Sequence, residues 1–519
     1  MISMNSVRYR TARLASRAAL GLLGLGSLAI DATTPTSWLL AGAMASGMAQ
    51  AKAESTELPG KSELVRKLEG VFYGEDFASI PDRHFKVNDY GAKGDGQTVN
   101  TAAIQQTIDA AHEAGGGVVV LDPGTYRSGA LFVKSHVELH LAEGVVIQAI
   151  QDNSLYPRLE TRIAGIEMKW PAALINVYEQ ENVRITGKGV IDGNGEYWWS
   201  KFWGKDRKGG MLADYTKRGL RWAVDYDCER VRGMVVWKSK DVLLKDFTIK
   251  RPGFWSCSLT YSDRVHVDGL VIRANLGGFG PSSDGIDTDS SSNILVESCD
   301  IDCNDDNLCL KAGKDADGLR VNRPTENVVY RNCITRAGHG MFSLGSETSG
   351  GMRNIEIYGL KAVGTSKGIH FKSAKVRGGI VENIYFHDIE MDGVDTAITC
   401  DMNWYPAYSY PAIPANIPKS EITDRWRKLT EKVEPPERGI PEIRNIRFEN
   451  ITVKNSKKAI FASAYTEKPM RHFVFKNVSF VVENAGSIQY AADWEMTGAT
   501  LNGGPFRVTA TDSTNMQLP

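Results

Sequence analysis

From residue 182 onward one short pattern returns along the chain: Asn or Asp, aliphatic, any residue, apolar, any residue, polar, apolar. It begins at Asn182, Asp241, Asp263, Asn293, Asn327, Asn354, Asn383 and Asn445, with a degenerate copy at His472. Successive starts lie 59, 22, 30, 34, 27, 29, 62 and 27 residues apart. Two intervals are about double the rest, as if a unit were interrupted. A period of this size marks a stacked repeat. Each unit alternates apolar and polar residues over short runs rich in β-branched side chains, so it is built of strands. No unit holds a helical stretch, which excludes leucine-rich and ankyrin repeats. A β-propeller needs ~40–50 residues per blade, which these spacings miss. One turn of a β-solenoid with three short strands fits, its rungs stacking into parallel sheets. The Asn or Asp that opens each unit is expected at a bend, its side chain bonded to neighbouring backbone.

A solenoid exposes sheet edge and core at its ends and needs caps. Thr98 to Ala114 reads as a helix, with Ala103, Ile104, Ile108 and Ala111 on one face and Gly115-Gly116-Gly117 as its stop. It is expected to cap the N-terminal end. Two stretches break the period. Residues 195–237 carry Trp198, Trp199, Trp203, Trp222 and Trp237; residues 402–440 carry Trp404, Tyr405, Tyr408, Tyr410 and six prolines. Long insertions in a solenoid are usually functional loops. Aromatic loops beside a groove suit carbohydrate, whose C–H faces pack on rings.

The first 53 residues read as an export leader. Arg8, Arg10, Arg13 and Arg17 precede an apolar run from Ala18 to Ile30 and a second from Trp38 to Met48. Ala49-Gln50-Ala51 and Ala51-Lys52-Ala53 are both small-x-small cleavage sites. Asp31 and a Thr/Pro stretch interrupt the apolar run, so neither half reaches the ~20 residues that span a bilayer. The expected organisation is a leader (1–53), a lead-in segment (54–84), one catalytic β-helix (85–490) with the insertions 195–237 and 402–440, and a tail (491–519). The expected location is periplasmic or secreted, with no membrane partner.

Lys+Arg total 61 against Asp+Glu 62, so bulk charge gives no reason to expect nucleic acid. The 17 Phe, 18 Tyr and 11 Trp are enough for a core and exclude a disordered chain. Seven cysteines without a CxxC pair exclude zinc ribbons and thioredoxin-like chemistry. They read as buried small hydrophobes with at most a bridge or two.

Candidate chemistry concentrates in 284–313. Asp284, Asp287, Asp289, Asp300, Asp302, Asp305 and Asp306 fall within 23 positions. Crowded carboxyls raise one another's pKa, so one can stay protonated as an acid while another acts as a base. Asp289 lies 16 and 17 residues before Asp305 and Asp306, short of a full turn, so adjoining rungs require short local turns. Solvated acidic turns and calcium binding are the other readings of the spacing alone.

With Asp287-Thr288-Asp289, Asp305-Asp306, Gly338-His339-Gly340 and His370-Phe371-Lys372 in that order, the chain resembles glycoside hydrolase family 28, the polygalacturonase family. The family's motifs are Asn-Thr-Asp, Asp-Asp, Gly-His-Gly and Arg-Ile-Lys. The segment FKVNDYGAKGDGQTVNTAAIQQTIDAA also looks like the family's opening, and the resemblance spans roughly residues 85–485. It implies a right-handed parallel β-helix and an inverting glycosidase without cofactor or metal. It implies Asp305 as general acid, Asp306 and Asp289 as the groups that hold and deprotonate water, and His339 as the tuner of the acid. Inversion would put acid and base roughly 6.5–9.5 Å apart. Lys372 would pair with the galacturonate carboxylate, with Asp287, Lys314 and Tyr405 as further substrate contacts.

Two departures from the motifs stand out. Asp287 replaces the usual Asn, and His370 replaces the usual Arg, which takes away a bidentate fork for a carboxylate. A different sugar at that position, such as rhamnose, or a nearby base would compensate; Lys314, Arg320, Arg323 and Lys367 are candidates. The stretch 311–327 looks like bacterial exo-acting members of the family, and the 195–237 insertion could wall off one end of the groove. The expectation is a monomer releasing galacturonate from the ends of pectic chains, as an exo-polygalacturonase or a rhamnogalacturonan galacturonohydrolase. The rivals are a β-helix pectate lyase and a glycan-binding β-helix without catalysis.

Overall fold

In the computed structural model, which describes residues 61–519, strands pair with the strand one turn on rather than with their sequence neighbour. The leader expected over residues 1–53 lies outside the described residues. Each turn gives one strand to each of three parallel sheets. The first sheet includes Met234–Trp237, Cys257–Thr260, Ile286–Asp289, Asp306–Lys311, Gly340–Leu344, Lys367–Lys372 and Thr396–Asp401, each paired in parallel with the next. The second includes Lys240–Lys245, Asp263–Asp268, Ser292–Glu297, Thr325–Arg331 and Met352–Tyr358. The third is made of short strands such as Thr248–Lys250, Val271–Arg273 and Asp300–Asp302. This is the β-solenoid expected from the period, and the right-handed parallel β-helix that the family resemblance implies.

The repeat's opening Asn or Asp does something different from what the pattern suggests. Asn182, Asp241, Asn293, Asn327, Asn354, Asn383 and Asn445, and also His472, sit at φ between 52° and 56°. Asn and Asp tolerate this left-handed conformation better than other L-residues. Their side chains reach from rung to rung rather than to the backbone. The Asn445 amide donates to Asn383 at 3.1 Å, and Asn293 to Asp263 at 2.7 Å. In the copy that begins at Asp263, Arg264 takes the left-handed position instead.

Inward-facing side chains stack in columns down the axis. One column runs Leu310, Leu344, Phe371, Cys400 and Ala462. Phe342, Phe371 and Phe448 surround Phe386 at centroid separations of 5.9, 5.9 and 5.5 Å. All seven cysteines are buried free thiols, the buried small hydrophobes that the sequence suggests.

The N-terminal cap is the helix Thr101–Glu113, which buries Ile104, Thr107, Ile108 and Ala111. A second helix, Glu63–Phe72, lies in the segment read only as a lead-in. Its Val65, Leu68 and Phe72 pack on Leu295 and Val329 of the second sheet's outer face. Residues 491–519, expected as a tail, continue the coil: Ala499–Leu501 and Thr509–Thr511 pair with the strand Met470–Gln489.

Three insertions gather over the first sheet. One is the antiparallel hairpin Arg158–Ile163 and Ile166–Pro171, which the repeat pattern did not reveal. The others are the two aromatic stretches. Ile163, Trp170, Leu220, Trp222, Tyr226, Phe254, Ile417 and Trp426 form their shared core. Most tryptophans of the first insertion are thus packing residues: Trp198 and Trp199 are fully buried. Among the described residues no helix is long and apolar enough to cross a membrane.

Because Phe386 fills the middle of the aromatic column, Phe386→Ala should cost about 3–5 kcal/mol. Chemical denaturation should show a lower midpoint with little change in slope.

Candidate active site

The pair Asp305-Asp306 opens the strand Asp306–Lys311. On this part of the first sheet one turn is 22 residues, since Asp287 pairs with Cys309 and Asp289 with Lys311. The position 22 residues before Asp306 is Asp284, in the loop entering the strand Ile286–Asp289. Asp284, Asp305 and Asp306 each bring a carboxylate oxygen within 4.8 Å of the others. The expectation that Asp289 joins the pair is not met. Asp289 stands in register with Lys311, at the far end of the strand from Asp306, and its Oδ1 accepts from Arg162 Nη1 at 2.9 Å.

The Gly-His-Gly segment fits a steric need. Gly338 has φ 134°, and a Cβ there would lie 2.6 Å from the Asp305 carbonyl oxygen. A Cβ on Gly340 would lie 2.4 Å from Ser343 Oγ, the hydroxyl that donates to Asp306 Oδ1 at 2.7 Å. Between them the His339 N–H donates to the Asp305 carbonyl at 2.8 Å. The exposed His339 ring brings Nδ1 to 3.8 Å from Asp305 Oδ1, an ionic rather than a hydrogen-bonding distance.

Cations frame the carboxylates. Lys372 Nζ lies 2.5 Å from Asp306 Oδ2 and 4.7 Å over the Trp404 ring. Lys311 Nζ lies 3.3 Å from Asp284, 3.4 Å from Asp287 and 3.7 Å from Glu347. Both ammonium groups and the four carboxylates they meet are buried. The charges therefore set one another's proton affinity. Burial, with Asp287 and Asp305 beside it, pushes the Asp284 carboxyl well above the usual range. Burial would also raise Asp306, but Lys372 and Lys311 outweigh it and hold it ionised. Burial of Asp305 is outweighed by His339, which keeps its carboxyl below the ordinary value; in return Asp305 raises the imidazole. Lys311 and Arg377 overcome burial at Glu347 and hold it at about 2.

A cation site is a poor description of this cluster. Asp306 already accepts from Lys372 and Ser343, and the Lys311 ammonium sits against Asp284. The calcium reading of the acidic stretch thus meets carboxylates whose charge the protein's own ammonium groups balance. A second acidic group, His266, Asp268 and Glu297, is structural. Glu297 pairs with His266, Arg331 and the Tyr73 hydroxyl, which ties the chain end of the helix Glu63–Phe72 to the second sheet.

The cavity over the carboxylates is lined by Asp284, Asp305, Asp306, Lys311, Glu347 and Lys372, and by all three insertions. The hairpin gives Ala164, the first aromatic insertion Arg221 and Asp225, the second Trp404 and Tyr408. Of the substrate contacts expected from sequence, Lys372 is in the cavity, its ammonium against Asp306. Asp287 lies outside its lining; burial pushes its carboxyl up to about 7. Lys314 sits behind the wall, its ammonium donating to Tyr226 OH at 3.1 Å and lying 4.0 Å over the Tyr408 ring. Burial and then Arg377 bring its pKa down to about 7. Tyr405 is exposed, its hydroxyl accepting from Arg221 at 3.1 Å. His370 is buried and lines a neighbouring cavity with Lys367. Arg320 is tied to Asp317 and Glu167, and Arg323 lies over the Tyr261 ring.

Sequence reasoning missed four residues of the site in their roles: Asp284, Lys311, Glu347 and Arg221. A signal for Asp284 was present. Subtracting a 22-residue rung, the shortest spacing in the repeat, from Asp306 lands on it. Nothing comparable marks Arg221, which comes from an insertion.

Residues 158–434, more than half of the chain, match the family described as glycosyl hydrolases family 28, and residues 84–140 match one described as rhamnogalacturonase A/epimerase, pectate lyase-like. An exo-poly-alpha-D-galacturonosidase of Dickeya chrysanthemi is 26% identical over 457 residues, covering 80% of this chain and 70% of its own. A probable polygalacturonase of Vitis vinifera is 29% identical over 386 residues, 72% of this chain and 74% of its own. Among solved structures, a hyperthermoactive exopolygalacturonase from Thermotoga maritima superposes with a TM-score of 0.67 at 24% identity, over 86% of this chain and 96% of that one.

The Asp305 carboxylate holds a proton on His339, so the imidazole should titrate above 6.5, its ordinary value. Proton NMR of the ring should show a midpoint that falls in Asp305→Asn, because removing the anion removes the cause. An unchanged midpoint would mean the two groups do not interact.

Proposed function

The chain belongs to glycosyl hydrolases family 28, and on that premise we propose that it hydrolyses galacturonate-containing pectic polysaccharide from a chain end, with inversion at the anomeric carbon. The observation that carries the proposal is three carboxylates gathered at the floor of a cavity walled by three insertions. Each carboxyl has a distinct proton affinity, which is what acid and base roles require.

Asp305 is the general acid of this reading. In the free site the proton of the pair rests on His339; in the reaction it passes to the Asp305 carboxyl and from there to the glycosidic oxygen as the C–O bond breaks. Asp284 replaces Asp289 as the base. Its raised pKa makes it, once ionised, a stronger base than Asp306, whose charge Lys372 and Lys311 stabilise. Asp306 orients the attacking water. Activity should therefore rise as pH climbs through the Asp284 pKa and fall as the Asp305–His339 pair loses its proton.

The carboxylate oxygens approach within 4.8 Å, closer than the roughly 6.5–9.5 Å expected for an inverting pair. Spacing alone would suit a covalent intermediate. Asp306, however, has both oxygens engaged by Lys372 and Ser343, which blunts it as a nucleophile and suits it to holding water.

Exo action follows from the walls. Arg221 and Asp225 from one insertion and Trp404 and Tyr408 from another stand round the carboxylates, with Phe254 and Trp255 from the preceding turn. Walls of this kind suit a chain end better than a continuous chain. The pectic substrate, secretion to reach it and monomeric action form one consistent reading.

The test is product analysis with galacturonate and rhamnogalacturonan oligomers. Saturated monogalacturonate should appear early, and Asp305→Asn should lower kcat by about 10²–10⁴-fold. NMR during turnover of an α-linked substrate should show the β anomer first. A ladder of oligomers would contradict exo action, an initial α anomer would contradict inversion, and unsaturated products would replace hydrolysis by elimination.

A further inference from the structure

Beside the catalytic cavity, on the C-terminal side of Trp404, lies a second cavity of about 250 Å³ lined by Lys367, His370, Thr396, Thr399, Asp401, Trp404, Lys458 and Phe461. Trp404 lines both cavities, so they are consecutive stations along one surface. Only His370 belongs to the sequence motifs that drew attention to the catalytic cluster. The register explains the rest. Asp306, Gly340, Lys367, Thr396 and Lys458 form one column of the first sheet, rung by rung. With ~4.8 Å between rungs, Lys367 begins roughly 10 Å down the axis from Asp306, and Lys458 roughly 19 Å. The next column holds Ser343, His370, Thr399 and Phe461.

We infer that this second cavity is a subsite for the leaving part of the substrate, in which Lys367 and Lys458 take the carboxylate of a uronate and Phe461 packs on its ring. This rests on the galacturonate reading of the catalytic cavity. The charge balance favours an anion: two ammonium groups face one carboxylate, Asp401, which already accepts from the Asn403 N–H at 3.0 Å. Lys367 has only a long contact of 3.4 Å to the Thr396 hydroxyl, and Lys458 lies 5.8 Å over the Phe461 ring. A second carboxylate near Lys367, Asp395, lies outside the lining and is paired with Lys457 at 2.5 Å. The floor is polar and unsatisfied. His370 is 93% buried by its 7% exposure, and neither its Nδ1 nor Thr399 Oγ1 has a hydrogen-bond partner among the described residues. Burial and then Lys372 bring the His370 pKa down to about 3, so the ring stays neutral and offers hydrogen bonds rather than charge.

The inference also accounts for the His370 departure. An Arg there would place a third cation between Lys372 and Lys367. With neutral His370, the carboxylate-reading charges lie farther from the scissile bond. The sugar next to the cut is then recognised with less charge than the one after it.

The test is a binding titration with the turnover-silent Asp305→Asn protein and trigalacturonate, alongside its carboxyl-reduced analogue. Replacing Lys458 or Lys367 by Ala in that background should weaken trigalacturonate binding about tenfold each. The loss should be larger than for digalacturonate, and Lys458→Arg should keep most of the affinity. The carboxyl-reduced analogue should show no such dependence on the lysines. Equal affinity in parent and Ala variants with matched thermal midpoints would overturn the subsite, as would absence of binding to the parent. Binding that follows the lysines, in a wild-type protein that does not cleave the ligand, would keep the subsite and reject the hydrolase reading.

Discussion

The site depends on one buried ammonium. Lys311 Nζ stands within 3.7 Å of Asp284, Asp287 and Glu347. Without it, these carboxylates and the nearby Asp305-Asp306 pair would crowd a space from which most water is excluded. Burying an ion costs several kcal/mol, and the attraction repays this only when partners are close. Such a junction is an expensive way to stabilise a fold. Its effect is to let carboxyls of different proton affinity coexist: Glu347 and Asp306 ionised, Asp284 inclined to hold a proton. Lys372 and Arg162 do the same at the two flanks, on Asp306 and Asp289.

The β-helix makes this possible because its register is rigid. Residues of one column repeat at the strand spacing, so side chains far apart in sequence are held at fixed separations. Asp306, Lys367 and Lys458 share a column although 152 residues separate the first from the last. The sheet supplies carboxylates, an imidazole and ammonium groups from consecutive turns. The insertions supply walls, in which Arg221 lies over the Tyr408 ring and Trp404 meets Tyr408 edge-on. In the proposed reaction the catalytic groups thus sit on strands and their edges, and the walls that meet the substrate sit on loops.

The solenoid was legible because its signal is repeated: the opening Asn or Asp must enter a left-handed turn on nearly every rung. The site was legible only in part. The motifs point to Asp305, Asp306, His339 and Lys372, which the structure brings together, because each lies within a compact run of sequence; the Lys372 ammonium is paired with Asp306. The local tripeptide Asp287-Thr288-Asp289 points to Asp289, whereas the rung length points to Asp284. Register, which decides contact in a stacked fold, is a property of turns and loops that short motifs do not carry. Arg221 and Arg162 arrive from insertions with no period at all. Trp198 and Trp199 look like sugar platforms in sequence and prove to be packing, because composition cannot tell an inward ring from an outward one.

The central claim is that rung register makes Asp284 the third carboxyl of the catalytic group and leaves Asp289 as the partner of Arg162. The most direct measurement compares kcat for Asp284→Asn and Asp289→Asn on galacturonate oligomers, with thermal midpoints for both. The account predicts that Asp284→Asn keeps its fold and loses turnover by about 10²–10⁴-fold. Asp289→Asn should lower the midpoint, since it strands a buried guanidinium, while the folded fraction still turns over. A folded Asp289→Asn protein without activity, beside an active Asp284→Asn protein, would contradict it.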